Sequence, residues 1–176
     1  QPYGREIAST ITYCHPSWWA SKGYMVIIQD VRGMGSSEGV FMGFKQEAKD
    51  TSETHKWVRA LQECNGKLGL YGFSYQGFTQ LTGELDSKPP DCLSPAMTGM
   101  NLKDHWSSDG GAFWWHNNIA WALQVAALKL KRENNVLGWE EIKYSLESKS
   151  YLRKGLDLLK RHDPNNFVIE WLNNIN

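Results

Sequence analysis

Residues 72–77 read Gly-Phe-Ser-Tyr-Gln-Gly and follow a short apolar run from Lys67 to Tyr71. A serine set between glycines at the end of a strand can carry out acyl transfer. The glycines let backbones approach closely, and the sharp turn lifts the hydroxyl toward a carbonyl carbon. Gly72 stands two residues before Ser74, as the G-x-S-x-G pattern requires, but Gln76 occupies the second glycine position and Gly77 comes one residue later. The same residues would also serve as a plain strand-to-helix turn with Ser74 as helix N-cap, because serine is a favoured cap and glycine a favoured turn residue. The local pattern supports both readings equally. A nucleophilic serine also needs a base, usually histidine, and a group that orients that base. His15, His55, His105, His116 and His162 are available.

The elements that must hold Ser74 flank it. Trp18, Trp19 and Ala20 close a short helix, and the continuous apolar run Tyr24–Ile28 predicts a strand covered on both faces. The glycine-rich stretch Asp30–Gly39 follows, but it lacks the Lys-Ser/Thr or GxGxxG spacing that a phosphate-binding loop needs. Between Glu47 and Gln62, the positions Ala48, Trp57, Val58 and Leu61 among charges predict an amphipathic helix. Asn65-Gly66 turns the chain into a strand from Lys67 to Tyr71, and a helix from Tyr75 to Leu85 ends before Pro89-Pro90. This succession predicts a βαβ unit, hence a parallel sheet with a right-handed crossover. Beyond Pro95 the pattern becomes helical: Ala112–Arg132 reads as one long helix, Glu140–Arg161 as one or two, and Asn166–Asn173 as a shorter one, with no strand signal. The expected class is therefore α/β, with residues 1–95 forming an α/β piece and 96–176 a helical subdomain.

Composition narrows the function classes. The 176 residues suffice for one domain, or a domain with an appendage, and for a real core. Nineteen basic and nineteen acidic residues balance, which argues against nucleic acid or an anionic membrane as partner. No apolar run approaches the ~18 residues that a membrane span requires. Cys14, Cys64 and Cys92 are odd in number and widely spaced, as expected of reduced thiols in a cytoplasmic protein without a zinc site. Nine tryptophans, concentrated in the second half, suit core packing or an apolar pocket.

Read with the segments around it, Gly-Phe-Ser-Tyr-Gln-Gly resembles the serine turn of the α/β-hydrolase family that contains cocaine esterases, α-amino-acid ester hydrolases and X-Pro dipeptidyl-peptidases. There the turn has the form G-x-S-Y-x-G, so Gln76 fits. Pro2-Tyr3-Gly4 is similar to the family's PYG element, and Gly23-Tyr24 with Gln29–Gly39 to its GY…QDVRGxGxSxG signature. Glu47, Asp50 and Trp57 match an E-x-x-D…W helix, Gly66–Gly69 the GKxG lead into the strand, and Pro89-Pro90 the PP after the helix. Gly110-Gly111-Ala112-Phe113 is similar to the start of the family's helical cap.

The resemblance implies a serine esterase, amidase or acyl-peptidase acting on a small acyl ester or peptide-like substrate, without metal or cofactor. Ser74 would be the nucleophile, the backbone N–H of Tyr75 one oxyanion donor and the Tyr3 hydroxyl the other. Asp30 and Arg32 would be structural. Trp106, Phe113, Trp114, Trp115 and Trp121 cluster at the start of the cap, where some of them would wall the substrate pocket or, equally, pack helix against core, while Gln76, Asp104 and Asp109 do not establish an amino-group site. In the family the acid and then the base follow the serine beyond the cap, so His105, His116 and His162 are expected to be surface or capping histidines. The chain thus resembles an internal segment of a longer hydrolase, with the nucleophile half of the core and most of the cap. A non-catalytic binding module with a vestigial serine is the alternative, and a homo-oligomer is left open.

Overall fold

The computed structural model describes residues 15–174 apart from residue 86. The chain divides into two compact units, Gln1–Met100 and Asn101–Asn176.

In the first unit, α1 (Pro16–Ser21) starts with proline at its first turn, and His15 Nδ1 accepts from the Ser17 N–H at 3.2 Å. The strand expected at Tyr24–Ile28 is not formed. Tyr24, Met25 and Ile28 are exposed, and a cavity of about 720 Å³ lies between this segment and Gly69, Leu70 and Tyr71. An apolar run becomes a strand only where a neighbouring backbone supplies hydrogen-bond partners, and among the described residues this run has no strand partner. The loop that follows is tied down locally. The Arg32 guanidinium grips the Asp50 carboxylate through two nitrogens, Nε to Oδ2 at 2.9 Å, and the Ser37 hydroxyl donates to the Asp30 carbonyl at 2.6 Å. Asp50 raises the Arg32 pKa by hydrogen bond and charge. Gly33, at φ 78°, has no room for a Cβ, which would sit 2.1 Å from the Phe41 nitrogen.

The helix α2 (Glu47–Ala60) forms as expected but buries a different face. Its buried residues are Glu47, Thr51, Ser52, His55 and Val58, whereas Trp57 is 53% exposed. The contacts are hydrogen bonds: Thr51 Oγ1 to the Thr79 carbonyl at 3.2 Å and the Glu84 N–H to Ser52 Oγ at 2.8 Å. β1 (Gly69–Phe73) pairs in parallel with β2 (Cys92–Ala96), in register from Gly69↔Cys92 to Phe73↔Ala96. Between them α3 (Tyr75–Phe78) tightens into a 3₁₀ turn, Thr79–Leu81, and stops short of Leu85. The side chains of Thr79, Gln80 and Thr82 bond back to carbonyls of the preceding turn, offering the backbone an alternative to further helix. β2 was invisible in the sequence because Pro95 argues against a strand. It is tolerated here in an exposed strand.

In the second unit a two-residue hairpin pairs β3 (Ser108–Asp109) with β4 (Ala112–Phe113). This overturns the expectation of no strand and of a helix starting at Ala112. Gly110 and Gly111 both take positive φ, 55° and 84°, the conformation of a tight hairpin turn, so this glycine pair makes a reversal before the helix. α4 (Trp115–Arg132), α5 (Val136–Glu147), α6 (Tyr151–His162) and α7 (Phe167–Asn173) follow. Ile119, Leu123 and Leu130 of α4 are fully buried with Ile142, Leu159 and Val168, the stripe that a 3.6-residue period demands. α4 and α6 cross closely at Gly155, where a Cβ would meet Ile119 Cγ2 at 2.3 Å. No helix among the described residues is long and apolar enough to cross a membrane.

Candidate active site

Ser74 sits at the junction of β1 and α3 with φ 60° and ψ −121°. A non-glycine residue held there costs on the order of 1–3 kcal/mol and persists only where its surroundings over-determine it. Its N–H donates to the Ala96 carbonyl at 2.9 Å, and its own carbonyl accepts from Gly77 and Phe78 at 2.8 and 3.0 Å. Ser74 occupies the N-cap position of α3, yet its side chain makes no capping hydrogen bond. An ordinary serine cap would satisfy that helix end.

The spacing of the two glycines now has a steric cause. A Cβ on Gly72 would lie 2.6 Å from Gln76 Cβ, and one on Gly77 would lie 2.9 Å from Thr98 Cβ and 3.1 Å from the Ala96 carbonyl oxygen. Gly72 lets α3 fold back over β1, and Gly77 lets it lie against the segment leaving β2. The position that faces this segment is three residues after the serine, so Gln76 needs no replacement by glycine.

Tyr75 is 2% exposed, and its ring packs on Phe41, Phe44 and Phe78. Its hydroxyl donates to Glu47 Oε1 at 2.7 Å and accepts from the Phe44 N–H at 2.9 Å. Burial pushes both groups up in pKa. For Glu47 the hydrogen bond from Tyr75 opposes that shift, and for Tyr75 the Glu47 charge adds to it. Gln80, which the sequence did not single out, is buried and bridges the elements. Its Nε2 donates to the Gln76 carbonyl at 3.0 Å and its Oε1 accepts from the Ser94 N–H at 3.0 Å.

Tyr3 lies outside the described residues. His55 is buried on α2. The three histidines after Ser74 have partners within the second unit: His105 Nδ1 accepts from the Asn101 N–H, His116 meets the Tyr151 hydroxyl, and His162 Nε2 meets Glu141 Oε2. The aromatic pocket candidates lie in the same unit. Trp106 packs on Trp121, Phe113 on Trp115, and the Trp115 indole N–H donates to the Leu152 carbonyl at 3.0 Å. Trp114 is 41% exposed. Asp104 and Asp109 are exposed as well.

A serine turn on a small parallel sheet flanked by helices coincides with a family match across residues 1–176: the chain belongs to the X-Pro dipeptidyl-peptidase (S15) family. Among curated proteins it is similar to cocaine esterase of Rhodococcus sp. (strain MB1 Bresler), at 31% identity over 105 residues. That alignment takes in 58% of this chain and 18% of the esterase, so the chain spans well under two thirds of this relative. The family read from the motifs around Ser74 is thereby confirmed.

Proposed function

We propose that the protein is a serine hydrolase of ester or amide acyl bonds with Ser74 as nucleophile. One observation carries the reading: Ser74 holds a strained φ of 60° at a strand end while its hydroxyl makes no capping bond. Such a turn is the nucleophile elbow that acyl-transfer enzymes use to present the serine oxygen. In the proposed cycle Ser74 Oγ attacks the carbonyl carbon as a histidine takes its proton. The Tyr75 N–H and the Tyr3 hydroxyl stabilise the oxyanion, and losing one such donor costs about 3 kcal/mol of transition-state binding. The leaving group departs with the histidine's proton, and water, deprotonated by the same histidine, releases the acid from the acyl-serine. The base and its orienting acid are assigned to polypeptide outside these 176 residues. The relative's greater length supports this, as do the contacts that engage His105, His116 and His162.

The test is fluorophosphonate labelling of the full-length protein beside its Ser74→Ala variant. Labelling of the wild type alone is expected. Failure of both to label, with both folded by circular dichroism, would favour the non-catalytic binding module. The 176-residue chain alone is expected not to turn over an aryl ester, and turnover at the full-length rate would refute the assignment of acid and base to other polypeptide.

A further inference from the structure

Ser74 and Phe44 are both non-glycine residues at positive φ, 60° and 54°, and one side chain joins them. The residue after Ser74 packs its ring against Phe44 and Phe78, which also touch each other, and its hydroxyl closes on the Phe44 N–H and on Glu47 at the start of α2. Glu47 is 3% exposed. A buried carboxyl is costly to keep, and apolar residues of similar volume would pack there more cheaply. What the carboxyl supplies that a leucine cannot is direction: an acceptor fixed 2.7 Å from one oxygen. Two bonds of opposite sense, one donated and one accepted, leave the Tyr75 ring little rotational freedom. The ring is anchored on the Cα that follows the Ser74–Tyr75 peptide. Movement of the ring therefore tilts that peptide, and with it both the serine and the N–H beside it.

We propose that Glu47 is a positioning residue for the reaction: with the Phe44 N–H it locks the Tyr75 side chain, and through Tyr75 it aims the Ser74–Tyr75 peptide N–H at the oxyanion. This rests on the reading of Ser74 as nucleophile. Glu47 acts through Tyr75 and touches neither substrate nor reacting atoms. An oxyanion donor works only when preorganised, and a displacement of about 1 Å can cost about 100-fold in rate.

The experiment uses the full-length protein and an aryl ester, with kcat counted per site titrated by fluorophosphonate. Tyr75→Phe keeps the ring and deletes both hydroxyl bonds, Glu47→Leu deletes the acceptor, and Glu47→Gln keeps an acceptor oxygen at the same reach. Tyr75→Phe and Glu47→Leu are expected to lower kcat about 10- to 100-fold with KM within about threefold, and Glu47→Gln to recover kcat to within about threefold of wild type. Wild-type kcat per titrated site in Tyr75→Phe would overturn the proposal, as would equal losses in Glu47→Gln and Glu47→Leu. If Glu47→Leu does not fold, Tyr75→Phe and Glu47→Gln decide the matter, the first expected to lose kcat and the second to keep it. A wild type that does not label, or a Ser74→Ala variant that does, would instead refute the nucleophile assignment.

Discussion

Gly77 lies so close to Thr98 and the Ala96 carbonyl that any side chain there must push α3 away from the segment after β2. Thr98 is β-branched and the other neighbour is backbone, so neither can yield as the end of a flexible side chain would. Gly77→Ala should therefore destabilise the protein by about 1–3 kcal/mol, the usual cost of overpacking. It should lower the denaturant midpoint with an unchanged slope. Gly72→Ala should behave similarly, since its Cβ would meet Gln76 Cβ at 2.6 Å. Stability equal to wild type in both variants would show that the turn relaxes freely and would weaken the strained-serine reading. The Gly-Phe-Ser-Tyr-Gln-Gly spacing was legible in the sequence, but its reason was not, because Thr98 lies far along the chain from the turn it constrains.

Among the elements, α2 departs furthest from its sequence pattern. Its apolar positions suggested a greasy face, yet the buried face carries Glu47, Thr51, Ser52 and His55 and is joined to the serine turn by hydrogen bonds. Periodicity cannot reveal such a face, since polar residues that find buried partners look like solvated ones in sequence. His55 supplies a pH test. Burial, and secondarily the Arg59 charge, hold its pKa below the ordinary value, so the folded state favours neutral imidazole. Its contribution to stability is thus present above the unfolded value of about 6.5 and is lost as pH falls toward the folded value. Wild type should lose stability between about pH 7 and pH 5, and His55→Gln should lose less over the same window. Equal losses in urea titrations of the two proteins would contradict this. In the second unit Gly155→Ala drives a methyl into Ile119 and should cost about 1–3 kcal/mol. Combined with Ile119→Ala, the loss should be less than the sum of the two single changes, because each relieves the other.

At the scale of the whole molecule, the two units differ in how far each satisfies itself. Residues from Asn101 onward carry α4 to α7 around a fully buried stripe with Ile119, Leu123, Leu130, Ile142, Leu159 and Val168. Among its described residues the first unit has a two-stranded sheet, a run at Tyr24–Ile28 that joins no strand and a cavity of about 720 Å³ beside β1. A two-stranded sheet is marginal in water without further strands or packing. A polypeptide of residues 101–176 should therefore keep its helical circular dichroism and melt cooperatively, whereas residues 1–100 alone should exchange their backbone amides rapidly. A non-cooperative melt of the first, or strong protection in the second, would reverse this ranking.

The sequence by itself determined the family, the serine turn and most helices. Motif spacing, a 3.6-residue apolar period and turn glycines are local signals that a few neighbouring residues complete. Tertiary structure alone decided that Tyr24–Ile28 joins no strand among the described residues, that Cys92–Ala96 becomes a strand despite Pro95, and that Gly110-Gly111 makes a hairpin before the helix begins. It also decided that Tyr75 reaches a glutamate 28 residues away. Strand pairing and buried hydrogen bonds need partners distant in the chain, and only the folded backbone says which partners meet.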